Sequence, residues 1–110
     1  MTWNILSDSI QIQEIIDASK HKPQLFFKHS TRCSISTMAL SRFEKSGILS
    51  NEHLDCWYLD LLAHRQISAK IEKLTQVLHQ SPQAILLNSG QVMYSASHGM
   101  IDSAEIQNLV

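Results

Sequence analysis

Charge of either sign is scarce in this chain. Nine lysines and arginines stand against ten acids in 110 residues, charged residues make up 17%, and the net charge is −1. Soluble domains usually carry about 25% charged residues. Without a basic excess, non-specific binding to nucleic acid or to an anionic membrane has no electrostatic source. No arm or tail holds a run of like charge. Cysteine is equally sparse, with only Cys33 and Cys56, too few for a disulfide scaffold and suited to a reducing compartment. Apolar runs hardly exceed Ala84-Ile85-Leu86-Leu87, far below the ~20 residues of a membrane span. The first residues lack the basic start and apolar stretch of a signal peptide. A soluble cytoplasmic protein is expected. What is present, 44% hydrophobic residues over this length, suits one globular domain with its own core.

The hydrophobic period alternates along the chain. Residues 3–6 suit a short strand. Ser7, Asp8 and Ser9 offer caps for a helix over 9–19, with Ile12, Ile15, Ile16 and Ser19 on one face. His21-Lys22-Pro23 breaks it, and Leu25-Phe26-Phe27 reads as a strand buried on both faces. The polar stretch His29-Ser30-Thr31-Arg32-Cys33 looks turn-like and feeds Ile35, Ala39, Leu40 and Phe43 at helical spacing, up to Gly47 as C-terminal cap. Residues 54–62 suit a central strand and residues 68–78 a third amphipathic helix, stopped by Ser81-Pro82. Two strands, 84–87 and 92–96, flank the turn Asn88-Ser89-Gly90. Asp102-Ser103-Ala104-Glu105 opens a last helix, running to Val110, as a capping-box analogue. The order β-α-β-α-β-α-β-β-α implies a three-layer α/β/α sandwich around a central mixed sheet, an arrangement similar to thioredoxin-like domains.

Cys33 falls where a buried strand gives way to a helix. A helix start supplies partial positive charge and unpaired N–H groups that favour a thiolate. Such sites lower a cysteine pKa from about 8.5 to between ~3.5 and ~7.5, and a lowering by two pH units corresponds to about 2.7 kcal/mol. Lys28, His29 and Arg32 would add to that field, and the Ser36 hydroxyl, one turn on, could donate to the sulfur. In Cys33-Ser34-Ile35-Ser36 the fourth residue has no thiol, so an adduct on Cys33 must wait for an outside thiol. Cys56, inside Asp55-Cys56-Trp57-Tyr58-Leu59, reads as a buried structural residue.

The string Lys28-His29-Ser30-Thr31-Arg32-Cys33-Ser34-Ile35-Ser36, followed by Ala39-Leu40, resembles the monothiol bacilliredoxins, the YtxJ-like family of the bacillithiol system. Tyr58-Leu59-Asp60, Arg65 to Ser68, His79-Gln80-Ser81-Pro82-Gln83 and Ser97-His98 before Ile101 carry the same resemblance. It implies a thioredoxin-like fold and removal of bacillithiol from bacillithiolated client proteins in a bacterial cytoplasm. Bacillithiol is then a co-substrate, and no cofactor is bound permanently. Cys33 takes the nucleophile's place and Ser36 that of the resolving cysteine. Pro82 takes the place of a cis-proline that turns the Ser81 backbone toward a client strand. The family usually has proline directly after the cysteine; here Ser34 leaves a free N–H. Bacillithiol carries two malate carboxylates, for which Lys28, Arg32, Arg65 and His98 are the candidate cations.

Other readings stay open at this stage. A glutathione-dependent monothiol glutaredoxin would use the same chemistry, although such proteins usually carry C-G-F-S and Ser34-Ile35 lacks the Gly-Phe pair. A catalytically lapsed thioredoxin-fold interaction module would also lack the second cysteine. A zinc site from His29, Cys33, His53 and Cys56 has suitable ligand types, but a helix start and a strand interior would not converge, and no metal is expected.

Overall fold

The computed structural model describes residues 3–110. Five strands and four helices follow in chain order: β1 (Asn4–Ile5), α1 (Ile10–Ala18), β2 (Gln24–His29), α2 (Ser34–Lys45), β3 (Asp55–Asp60), α3 (Arg65–Thr75), β4 (Gln83–Asn88), β5 (Gln91–Ser97) and α4 (Ser103–Asn108). Among the described residues, single 3₁₀ turns at Ile48–Ser50 and His98–Met100 are the only additions to the expected order. The sheet runs β1-β3-β2-β4-β5. β1, β3 and β2 are parallel, while β4 pairs antiparallel with β2, and β5 antiparallel with β4.

The central strand explains the layering. β2 pairs with β3 on one side and β4 on the other, and all six of its residues are buried. Alternate side chains therefore enter opposite layers. Leu25 and Phe27 join Ala39, Phe43, Cys56, Leu86 and Ile106 beneath α2 and α4. Phe26 joins Ile12, Ile15, Leu59, Ile67, Ile71 and Ile85 beneath α1 and α3. Burying each such phenylalanine contributes roughly 1.5–3 kcal/mol. β5, at the edge, alternates exposed and half-buried residues.

Most boundaries differ by a residue or two from the sequence reading, and three elements depart in ways with a clear physical cause. β2 continues past Phe27 through Lys28 and His29, because its neighbours offer partners there: Lys28 pairs with Leu59 on β3 and Gln83 on β4, and His29 with Asp60 on β3. α3 starts at Arg65 and stops at Thr75, three residues earlier than expected at each end. Its early start follows from the turn after β3, where Asp60 Oδ1 accepts the N–H groups of Leu62 (3.1 Å) and Ala63 (3.4 Å). Its stop is Gln76, left-handed at φ 61°, whose N–H closes on Glu72 O at 2.8 Å. The last helix ends at Asn108, and its capping box is half made. Asp102 Oδ1 accepts from the Ala104 and Glu105 N–H groups, while the Asp102 N–H donates to the Tyr94 hydroxyl and not to Glu105. Gly47, at φ 84°, sits just past α2 in the left-handed conformation that glycine adopts at least cost.

Candidate active site

The parallel strands end at one edge of the sheet, and the chain returns there at the start of antiparallel β4. Lys28 lies opposite Gln83 in the β2–β4 register, so the turn after β2 and Pro82 before β4 share this edge. Cys33 is the N-cap of α2, in extended backbone at φ −109° and ψ 121°. Its N–H donates to Ser30 O at 3.2 Å, and its carbonyl accepts the first helical bond, from the Thr37 N–H at 3.0 Å, together with the Thr37 hydroxyl at 3.1 Å. The N–H groups ahead of Thr37 are the open end of the helix. The thiol is partly exposed and free, while Cys56 is buried and also free. Burial, with Asp55 beside it, pushes the Cys56 thiol up to about 12. One cysteine can react and the other stays protonated.

Ser36 departs from its expected place. It is fully buried, and its Oγ lies 2.7 Å from His29 Nδ1 and accepts the Ser30 N–H at 3.0 Å. The hydroxyl serves the turn and the imidazole; no hydrogen bond joins it to the sulfur. Burial holds the His29 pKa below its ordinary value, with Asp60 and Glu44 opposing the shift. The ring is therefore neutral at pH 7. Ser36 satisfies every group when its proton goes to Nδ1, which assigns the ring proton to Nε2. His29 also lies 5.8 Å from the Tyr58 ring, so the imidazole is fixed from two sides.

Lys28 corrects the sequence reading. It was expected beside the sulfur as a cation for malate, but it is fully buried on the face of β2 turned toward α3, and its Nζ lies 3.3 Å from His79 Nδ1. The reason is the longer strand: position 28 follows Phe27 in strict alternation and must point away from α2. Arg32 and Arg65 are exposed, in the turn before Cys33 and at the start of α3. His98 is exposed too, at φ 54°, and its N–H donates to Pro82 O at 3.0 Å. All three stand at the Cys33 edge. The Ser81–Pro82 peptide bond is cis, and the Ser81 hydroxyl is buried without a hydrogen-bond partner among the described residues. Among those residues no group of three or more His, Cys, Asp or Glu gathers as a metal site would require. No helix among them is long and apolar enough to cross a membrane.

Sequence reasoning missed the network behind Lys28: His79, Ser68 and Glu72. The signal was a lysine closing an otherwise apolar run, Leu25-Phe26-Phe27-Lys28, followed downstream by a histidine just before Ser81-Pro82.

A mixed sheet of this order, with a cysteine opening a helix at the edge where a proline opens an antiparallel strand, defines a thioredoxin-fold protein. Solved structures agree. One, described as having a thioredoxin fold and a proposed oxidoreductase role, is 32% identical with a TM-score of 0.80, covering 94% of this chain and 89% of that one. Thioredoxins from Malassezia sympodialis (16% identity, TM-score 0.73, 98% and 87% covered) and Fasciola hepatica (10%, 0.73, 96% and 94%) share the fold. The family model described as monothiol bacilliredoxin BrxC matches residues 4–106. The chain belongs to the monothiol bacilliredoxin family, and that membership implies thiol–disulfide redox function.

Proposed function

We propose that this protein removes bacillithiol from bacillithiolated client proteins by monothiol exchange. The Cys33 thiolate attacks the bacillithiol sulfur of a client–bacillithiol disulfide. The client S–S bond breaks, a Cys33–bacillithiol disulfide forms, and the client leaves as a thiolate that takes a proton from water. A second small thiol, as its thiolate, then attacks the bacillithiol sulfur of the adduct; the Cys33 S–S bond breaks, the two small thiols leave as a disulfide, and Cys33 is free again. The observation that carries this reading is the pairing of a partly exposed Cys33 at a helix start with a fully buried, fully engaged Ser36 at the fourth position. The motif can accept an adduct but holds nothing to resolve it.

In this reading Arg32, Arg65 and His98 would meet the malate carboxylates, and the Ser81 backbone would pair with a client segment. The setting is a bacterial cytoplasm that makes bacillithiol. The protein needs no resident cofactor for this chemistry, and its partners are the client proteins and the small thiol. The test is to incubate the reduced protein with a bacillithiolated client and weigh both by intact mass. Bacillithiol should move to the protein, fail to move with Cys33→Ala, and still move with Cys56→Ser. Equal transfer by Cys33→Ala would end the assignment, and preference for a glutathionylated client would shift it to the glutathione reading.

A further inference from the structure

The segment from Gln76 to Pro82 has no regular structure of its own, and side chains from three elements hold it. From α3, Glu72 Oε2 accepts the His79 N–H at 2.6 Å. From β4, the buried Gln83 side chain donates to Leu78 O at 3.0 Å and accepts the Gln80 N–H at 3.4 Å. From β2, the buried Lys28 Nζ reaches His79 Nδ1 at 3.3 Å, and that imidazole nitrogen also lies 3.1 Å from Ser68 Oγ on α3. Lys28 and Gln83 are register partners on adjacent strands, so the last two anchors stand side by side beneath the loop.

Lys28 is the unusual member. A buried ammonium is expensive unless it is paired, and no carboxylate lies within 4 Å of it among the described residues. Burial pulls its pKa from 10.5 down to about 8, with the Glu72 charge opposing part of that. At neutral pH it remains a cation and donates to His79 Nδ1. The His79 pKa is itself held low by burial, then by Lys28 and Arg65, with Glu72 opposing. The ring is therefore neutral, and its own proton sits on Nε2. Around the pair, α3 supplies Glu72, Ser68 and Arg65, β4 supplies the uncharged Gln83, and β3 supplies Leu59. An apolar residue at position 28 would satisfy this layer at lower cost, but it would remove the charge-assisted donor that fixes the ring.

We infer that Lys28, acting through His79, is a positioning residue of the loop that leads into Pro82, and that it sets how well a client is received beside Cys33. This rests on the reading of Cys33 as the exchange nucleophile. The residue touches neither the sulfur nor the client. It holds from behind, through one imidazole, the segment against which the client would lie.

The test uses Lys28→Met and, as an independent disruption on the loop side, His79→Gln. Three measurements are compared with the wild type: melting temperature, the rate of Cys33 alkylation by iodoacetamide, and steady-state transfer from a bacillithiolated client. In Lys28→Met the melting temperature should hold or rise and alkylation should stay within about twofold, while kcat/KM for transfer falls about tenfold, mainly through KM. His79→Gln should show the same split. Transfer within about twofold of wild type in both variants would overturn the inference, as would alkylation and transfer falling together. If the wild type moves no bacillithiol at all, the exchange reading fails on its own, and backbone amide shifts still decide the positioning role. Movement at residues 77–81 with α2 unmoved supports it, and an unmoved loop overturns it.

Discussion

His29 Nδ1 and Ser36 Oγ meet at 2.7 Å inside the protein, and the Ser30 N–H closes on the same oxygen at 3.0 Å. One hydroxyl thus ties the end of β2, the turn that presents Cys33 and the first turn of α2. Ser36→Ala would strand a part-buried N–H and a buried ring nitrogen. At roughly 1–3 kcal/mol for each unsatisfied group, a loss of about 2 kcal/mol or more is expected in urea unfolding. Transfer to Cys33 should continue, because the Ser36 hydroxyl is hydrogen-bonded to His29 and Ser30 and not to the reacting sulfur. Unchanged stability would mean that the hydroxyl is not doing this job.

Buried titrating groups give the stability curve a definite shape. The native pKa values of His29 and His79 are held down by burial, so below 6.5 the unfolded chain binds more protons and stability falls with acidification. Lys28 is lowered from 10.5 to about 8. Between those values the unfolded chain again holds more protons, so its contribution rises with pH across that window and is fully unfavourable below it. Cys56 runs the other way, raised from 9.0 to about 12, so its contribution is lost as the unfolded thiol ionises above 9. The urea midpoint of wild type minus that of Lys28→Met, followed from pH 7 to 10.5, isolates the lysine and should climb. A flat difference would mean that the amine titrates normally.

The two thiols should separate cleanly under alkylation. Cys56 is 4% exposed and stays protonated, so native protein at pH 8 should take one label, on Cys33, and a second only in denaturant. Two labels at similar native rates would contradict the burial of Cys56.

Charge reversal checks the role assigned to the exposed cations. Arg32→Glu and Arg65→Glu should each raise KM for a bacillithiolated client about fivefold at low salt, with kcat little changed and the effect shrinking as salt is added. Lys28→Met should show no such salt dependence, because that cation is sealed from solvent. A KM that ignores both arginine reversals would remove them from the site.

Much of this was legible in advance, and the parts that were not share a cause. The strand–helix order, the hairpin at Ser89-Gly90 and the placement of Cys33 at a helix start follow from local pattern, and the chain adopts them. Lys28 was misplaced because the end of a strand is set by its neighbours, and β3 carries β2 two residues beyond its apolar run, with β4 pairing the first of them. The shift of α3 came from one side chain, Asp60, folding the turn before it. Ser36 was aimed at the sulfur by helical spacing alone, whereas a histidine seven residues earlier claimed its hydroxyl. Each miss lies in a strand pairing or a side-chain hydrogen bond, which no hydrophobic period along one element records.

Neighbours in sequence, Lys28 and His29 serve opposite sides of the sheet, one gripping the proline-bearing segment and the other the first turn of the nucleophile's helix. Sliding β2 by a single position would exchange the two, setting an ammonium under the thiol and an imidazole under the loop. The alignment of one strand therefore decides whether a neutral imidazole or a buried ammonium lies on the thiol's side of the sheet, and the pairing of β2 with both flanking strands is as much a part of the chemistry as the cysteine itself.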